Sequence, residues 1–382
     1  MVLTVKIKKK LKNFTLDVDF STEVGCMGIL GASGSGKSMT LKCIAGIETP
    51  DEGIIILDDK VLFDSEKGIN LKPQERRVGY LFQSYALFPN MTVAENLAIG
   101  WKTRHPSAGI NEVTAQVSEM IQRFHLSGLE KQYPNNLSGG EQQRTAMARM
   151  LLSEPEVLLF DEPFSALDTY LKEELQAELR KTMQEFNGIS ILVTHSRDEV
   201  YKLSDTLLVM EDGRGLQHGN TKEMFHNPKT FITARLTGCK NISPIAVVSE
   251  GVILAEKWNL PIHVEHENNC FKGQTESETC SFQDIYSQYR YVGIRAHDFW
   301  IYNEEIAEAN QAENVIKIKI QEITEAPFEW NVMFTVETES KNEEKSTDSL
   351  WWKISKELVS SRDVIEVIRM LRIKPEGILF LK

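Results

Sequence analysis

A chain of 382 residues that is 41% hydrophobic and 26% charged is long enough for two or three domains with sizeable cores. Its formal net charge of −12 argues against a general nucleic-acid binder, which needs a clustered positive field, although it leaves room for a local patch. The five cysteines, at 26, 43, 239, 270 and 280, are odd in number and have no C-x-x-C spacing, so they read as reduced, unpaired thiols.

The N-terminus opens directly on β-type alternation from Leu3 to Phe20, with no apolar signal core, and no later window is long enough to span a bilayer. This predicts a cytoplasmic protein that reaches a membrane only through a partner. The lysines at 6, 8, 9, 10 and 12 form the one dense basic run. Because Val5 and Ile7 alternate with Lys6 and Lys8, the run reads as the solvated face of an edge strand, with attraction to a membrane surface as the alternative. Gly28-Ile29-Leu30 then reads as the end of a buried strand, and Met39, Leu41, Cys43, Ile44 and Ala45 as a helix closed by Gly46.

Between them lies Gly31-Ala32-Ser33-Gly34-Ser35-Gly36-Lys37-Ser38, spelled G-x-x-x-x-G-K-S. Its glycines let backbone N–H groups curl around phosphate oxygens, Lys37 carries charge for the β and γ phosphates, and Ser38 offers a hydroxyl to Mg²⁺. A Gly/Ser linker would share the composition but not the strand before it and the helix after it, whose N-terminus favours anions. Phe14 is a candidate to lie near the adenine, the alternative being a core or hairpin phenylalanine.

Downstream, Thr49 to Gly53 reads as a turn, and Ile54–Leu57 with Val61–Phe63 as a hairpin forming an antiparallel edge. Val78 to Phe82 is a short apolar strand that ends at Gln83, whose amide oxygen can reach Mg²⁺ or a water. Helices are predicted over Thr92 to Ile99 and after Asn111 as N-cap, with Val113, Val117, Met120, Ile121 and Phe124 on one face. Ser138 and Glu141 have capping-box spacing at the start of another helix. Val157 to Phe160 reads as a strand buried on both faces, followed by Asp161 and Glu162. Ligands in parallel sheets sit beyond the carboxyl ends of strands, so Asp161 is assigned to Mg²⁺, through water, and Glu162 to the attacking water. Ser165 to Asp168 precedes an amphipathic helix, and the strand Ile189 to Val193 leads to Thr194 and His195, read as a γ-phosphate contact. A strand over Thr206 to Met210 and a helical segment near Thr221 to His226 complete this part, with His218 and His226 read as structural.

These motifs, in this order, resemble the ATP-binding subunit of an ABC transporter over roughly residues 1 to 235. The resemblance implies an α/β fold: a P-loop ABC-type nucleotide-binding domain with a mixed sheet, an antiparallel β edge and a helical subdomain at about 84–153. It implies ATP and Mg²⁺ as ligands and a head-to-tail homodimer. In that dimer ATP lies between Gly31–Ser38 of one copy and Ser138, Gly139 and Gly140 of the other, with Asp168 at the same interface. It also implies that Ser84 to Asn96, including Tyr85, Phe88 and Met91, lines the groove for a membrane permease's coupling helix. A substrate-binding protein would take part indirectly, no nucleic acid would be bound, and the chain would sit peripherally on the cytoplasmic face of the cell membrane. Ser196-Arg197 after the histidine departs from the common Asp-Gln or Asp-Arg, a change that bears on local capping.

Residues 236–382 change character, with strand-like stretches at Val292–Ile294, Val315–Ile320 and Asn331–Val336, and more strands around Trp351-Trp352 and Ile378–Leu381. A helix is expected near Arg362 to Leu371 and a charged loop over Glu339 to Ser349. The pattern predicts a β-rich, barrel-like regulatory domain similar to that of oxyanion importers. Val292-Gly-Ile-Arg-Ala-His-Asp298 is similar to a segment common in that domain of oxyanion and related importers, Thr237-Gly-Cys-Lys-Asn241 further resembles the molybdate-type subgroup, and Arg295, Lys240 and His297 are candidate oxyanion contacts on chemical grounds. The expected function is ATP hydrolysis driving an importer of molybdate or tungstate. Sulfate, polyamine or metal-ion import is the alternative, and a soluble ABC clamp in DNA repair or translation a more remote one.

Overall fold

The computed structural model describes residues 1–12, 14–165, 169–264, 282–302, 313–337 and 348–382. They form two compact units, Met1–Met224 and Phe225–Lys382.

In the first unit, β1 (Val2–Lys10), β2 (Thr15–Glu23) and β3 (Gly25–Gly31) lead into α1 (Lys37–Ala45), followed by the short strands β4 (Glu52–Leu57), β5 (Lys60–Asp64) and β6 (Ile69–Asn70). Next come β7 (Val78–Leu81), the helices α2 (Val93–Arg104), α3 (Ile110–Arg123) and α4 (Gly139–Leu152), and β8 (Val157–Asp161). The unit continues through α5 (Thr169–Glu185), β9 (Ile189–Thr194), α6 (Arg197–Leu203), β10 (Thr206–Glu211) and β11 (Arg214–Asn220). The strands make one sheet in the order β6-β5-β4-β1-β2-β11-β10-β3-β9-β8-β7. From β10 to β7 every pairing is parallel, whereas β1, β2, β4, β5 and β6 pair antiparallel.

Burial follows from this mixture. Every residue of β8 and β9 is buried, as a parallel strand covered on both faces requires. Strand β1 alternates, placing Leu3, Val5 and Ile7 in the core. The basic run is therefore solvated as expected, but β1 is not an edge: β2 and β4 flank it. Its lysines stand beside acidic residues of β2, Lys6 Nζ at 3.3 Å from Asp19 and Lys8 Nζ at 3.4 Å from Asp17. Alternation shows that one face is wet and says nothing of how many neighbours a strand has. The hairpin β4–β5 does lie towards the sheet's antiparallel end, with β6 outermost.

Helix α1 is held at its far end by Arg76, which is fully buried. Its guanidinium donates to the carbonyls of Cys43 and Ile44 at 2.9 Å each, to that of Leu71 at 2.9 Å and to Asn70 Oδ1 at 2.8 Å. Four of its five N–H donors are thus used, two of them on carbonyls of the last turn of α1, where Cys43 O also accepts from Gly46 N at 3.2 Å. Gly46, with φ of 77°, caps the helix where a Cβ would lie 2.5 Å from Arg76 Nε.

Helices α2, α3 and α4 are inserted between β7 and β8 and share a core of Leu97, Val113, Val117, Ile121, Phe124, Met147 and Leu152. Each such side chain removed from water contributes roughly 1.5–3 kcal/mol. The cap of α3 is Gly109, so Asn111 lies inside the helix rather than before it. Ser196 accepts from Glu199 N at the start of α6, so the unusual residue after His195 serves as its N-cap.

The second unit has two five-stranded antiparallel sheets. One runs Leu260–His263, Val252–Ala255, Asn241–Ser249, Tyr291–Ile294, Ile378–Leu381, and the other Phe299–Ile301, Met370–Ile373, Val315–Glu325, Glu329–Val336, Leu350–Ser355. Trp258, Phe334 and Trp352 fill the space between them. Two buried asparagines stitch the sheets as a strand pairing would. Asn241 donates to Ile294 O and Trp351 O and accepts from Trp351 N. Asn314 exchanges both its bonds with the backbone of His263. The unit is the β-rich near-barrel expected of it. The helix expected over Arg362 to Leu371 ends at Glu366, and Met370–Ile373 is a strand. The expected loop over Glu339 to Ser349 lies largely outside the described residues.

Candidate nucleotide site

Strand β3 ends at Gly31, and the chain turns through Gly34 (φ 80°) and Gly36 (φ 98°) before α1 starts at Lys37. A Cβ on Gly31 would lie 2.4 Å from Met210 O, and one on Gly36 2.8 Å from Leu16 Cδ1, so only glycine fits either place. Ala32 accepts from Ser35 N at 3.2 Å within the loop. Lys37 is buried and folds back across the loop, donating to the carbonyls of Gly31 and Ala32 at 2.9 Å each. Burial holds its ammonium below the usual lysine range, while the carboxylates of Glu162 and Asp161 pull the other way. Ser35 Oγ is buried with no hydrogen-bond partner, an unspent polar atom in a cradle of backbone N–H groups. Ser33 is exposed in the turn.

Phe14 packs on this loop: its ring atoms lie 3.4 Å from the Cβ position of Gly36 and 2.6 Å from that of Gly213. It is half-buried, so the packing and stacking readings meet in one residue beside the phosphate loop.

The carboxyl ends of β7, β8 and β9 bring the other candidates to the loop. Asp161 closes β8 and accepts from Ser38 Oγ at 2.6 Å and from the Tyr80 hydroxyl at 2.8 Å. Tyr80 lies in β7 opposite Leu159, two residues before Asp161 and on the same sheet face, so strand register delivers the contact. Burial and the neighbouring carboxylate push its phenol above the usual range. Glu162 has φ of 47°, a left-handed backbone rare outside glycine, fixed by a bond from its N–H to Val193 O at 2.9 Å. That turn aims its carboxylate at His195, with Oε2 3.4 Å from Nδ1. Gln83 Nε2 donates to Ser165 Oγ at 3.0 Å, and Ser165 donates to Glu162 O at 3.0 Å. The glutamine thus joins the group through its amide nitrogen, not the oxygen expected to act.

Ser138 caps α4 with the reciprocal bonds its spacing predicts: Glu141 N to Ser138 Oγ at 3.4 Å and Ser138 N to Glu141 Oε2 at 2.7 Å. Ser138 and Gly139 are exposed and Gly140 is buried, on a helix packed against α2, α3 and β7. Asp168 lies outside the described residues. In the segment after Gln83, Tyr85 is buried and Phe88 exposed, so Tyr85 does not line an open groove. Asn96 accepts from Phe88 N and donates to the carbonyls of Phe88, Met91 and Thr92. Arg149 of α4 donates to Tyr85 O at 3.2 Å and stacks 5.2 Å from the Phe88 ring.

The three cationic candidates of the second unit are otherwise engaged. Arg295 donates to the carbonyls of Thr237 and Phe225, closing the end of the helix Phe231–Leu236. Lys240 Nζ sits 4.4 Å over the Trp351 ring, and His297 Nε2 lies 3.7 Å from Asp298. An arginine that satisfies carbonyls is a structural cap rather than an anion receptor.

Tyr80 is a contact at the loop that was not singled out from sequence, although side-chain parity on two paired strands could have found it. Ser165 reads from sequence as the start of the stretch before α5, without the contact to Gln83.

Residues 12–165 match the family ABC_tran, ABC transporter. The sulfate/thiosulfate import ATP-binding protein CysA of Mesorhizobium japonicum is 37% identical over 261 residues, 67% of this chain and 74% of that protein. The spermidine/putrescine import ATP-binding protein PotA of Clostridioides difficile is 41% identical over 235 residues, 61% of this chain and 64% of that one. The fold is similar to the dimeric post-hydrolysis state of the ATP-binding cassette MJ0796 bound to ADP and Pi. That likeness has a TM-score of 0.50 at 27% identity, over 58% of this chain and 99% of the cassette. No helix among the described residues is long and apolar enough to cross a membrane. The chain belongs to the ABC transporter family, among its import ATP-binding proteins, and its P-loop unit is an ABC-type ATPase.

Proposed function

We propose that the protein is the energy-coupling subunit of an importer, hydrolysing ATP to drive uptake through membrane permease subunits at the cytoplasmic face of the membrane. The observation that carries this reading is the joining of Lys37, Ser38, Asp161, Glu162 and His195 at the phosphate loop, within a family of import ATPases. Lys37 binds the β and γ phosphates once it lets go of the loop carbonyls. Glu162 orients the attacking water, and His195 contacts the γ-phosphate from the other side of that carboxylate. Ser38, Asp161 and Gln83 offer the hydroxyl, carboxylate and amide oxygens that suit Mg²⁺. Magnesium, when bound, neutralises charge on the phosphate oxygens.

The site is half of a pair. In this reading Ser138, Gly139 and Gly140 of a second copy close over the γ-phosphate, a homodimer that the dimeric structural neighbours support. The segment 84–96 serves the permease. For the cargo, the relatives favour sulfate/thiosulfate or a polyamine over molybdate or tungstate. The contacts that Arg295, Lys240 and His297 already make weigh against an oxyanion site at those residues. The test is ATP-dependent uptake of radiolabelled sulfate, spermidine and molybdate by cells with and without an intact copy of this chain. Loss of sulfate or spermidine uptake alone supports the reading, whereas loss of molybdate uptake alone restores the first expectation, and no loss of any uptake refutes all three cargoes.

A further inference from the structure

The His195 side chain is 62% exposed, and its ion-pair partner among the described residues is Glu162. An exposed imidazole held so lightly is aimed by its backbone, and that backbone is fixed by its neighbours. Thr194, the last residue of β9, accepts from Ser196 N at 3.0 Å, bridging the histidine. The same hydroxyl donates to Glu199 Oε2 at 2.5 Å. Glu199 is only 3% exposed, and its other oxygen lies 2.6 Å from Lys172 Nζ. Lys172 belongs to the first turn of α5, four residues after Asp168. One buried carboxylate therefore ties the turn that carries His195 to the start of the helix that follows Ser165–Asp168.

We infer that Glu199 and Lys172 form a positioning pair that sets His195 against Glu162 and couples it to the start of α5. Neither residue touches the phosphate loop. A buried ion pair adds little net stability but fixes geometry, and breaking one side strands a charge. Here the geometry fixed is that of the Thr194 hydroxyl. A shift at the start of α5, as when a second copy meets this segment, would reach His195 through three side chains: Lys172, Glu199 and Thr194. The inference rests on the reading that His195 and Glu162 act on ATP.

The experiment compares steady-state ATP hydrolysis of the full chain with that of His195→Ala, Lys172→Met, Lys172→Arg, Glu199→Gln and the double variant Lys172→Met/Glu199→Gln. The expected result is a roughly tenfold fall in kcat for each of K172M and E199Q, with KM for ATP within about twofold of the parent. The double variant should be no slower than either single one, because the two residues act as a unit, and K172R should recover to within about twofold. Two singles that multiply to roughly a hundredfold loss, or a K172M enzyme with the parent's kcat, would overturn the pair. A His195→Ala enzyme with full turnover would overturn both this inference and the role of His195. Loss in H195A beside normal turnover in K172M would overturn the pair alone. Thermal midpoints of all variants are measured alongside: a fall in kcat assayed well below every midpoint is a loss of positioning, whereas a fall that appears only near a lowered midpoint is general destabilisation and overturns the pair.

Discussion

The Nδ1 atom of His195 lies 3.4 Å from Oε2 of Glu162, across the ends of two adjacent parallel strands. The contact exists because Glu162 accepts a left-handed backbone directly after the buried run of β8. Replacing Glu162 by Gln keeps the side chain's size and its hydrogen-bonding reach while removing the charge proposed to orient water. ATP binding is expected to survive while turnover falls by roughly a hundredfold or more, on the scale of a lost general-base function. In ATP the variant should elute as a dimer in size-exclusion chromatography. Turnover at the parent's rate would contradict the role assigned to Glu162.

The proposed completion of the site by a second copy makes activity depend on concentration. Hydrolysis per volume should rise more steeply than linearly with protein in the dilute range and become linear once dimers predominate. A linear plot down to monomer would show that one copy suffices.

Lys37 gives a pH signature. Burial lowers its pKa in the free protein, and bound phosphates, by attracting the ammonium form, raise it. ATP binding is therefore accompanied by proton uptake in the window between the lowered value and the raised one. Affinity should decline as pH climbs through that alkaline window and stay flat below it. Calorimetric titrations in buffers of different ionisation heat measure the proton directly; release of protons in that window would reverse the sign and refute the argument.

Arg76→Met would remove a guanidinium that satisfies four acceptors inside the fold. Orphaned carbonyls at the end of α1 should cost about 2–4 kcal/mol of stability, read as a lower denaturation midpoint. Lysine should rescue only partly, since a point charge cannot replace the fork. A midpoint unchanged in Arg76→Met would mean that those carbonyls find other partners.

The thiols of Cys26 and Cys43 are buried, and burial pushes them up to about 12 and about 11 respectively. Cys239 is likewise buried, at about 11. All three should resist alkylation at neutral pH until the protein is unfolded, since the thiolate is the reactive form. Mass spectrometry of the labelled peptides checks this.

Much of the site was legible because it is written in short stretches. The phosphate loop, the Asp161-Glu162 pair and the Ser138 capping box each carry their chemistry within a few residues, and strand ends set their direction. What escaped was written across the chain. Tyr80 meets Asp161 only through the register of β7 on β8. Arg76 reaches α1 over more than thirty positions, and Arg149 reaches the Tyr85 carbonyl over 64. The flanks of β1 and the strand Met370–Ile373 escaped for the same reason, since pairing partners are not part of a local pattern.

The buried clasp of Arg76 on α1 also decides what the phosphate loop can do. A helix nailed down at its carboxyl end cannot slide along its axis or unwind from behind when nucleotide arrives at its front. Binding energy at Gly31–Ser38 then has no local recoil to be lost in. In the proposed cycle the loop is a stator, and the strain of closing on ATP passes to parts that are free to travel.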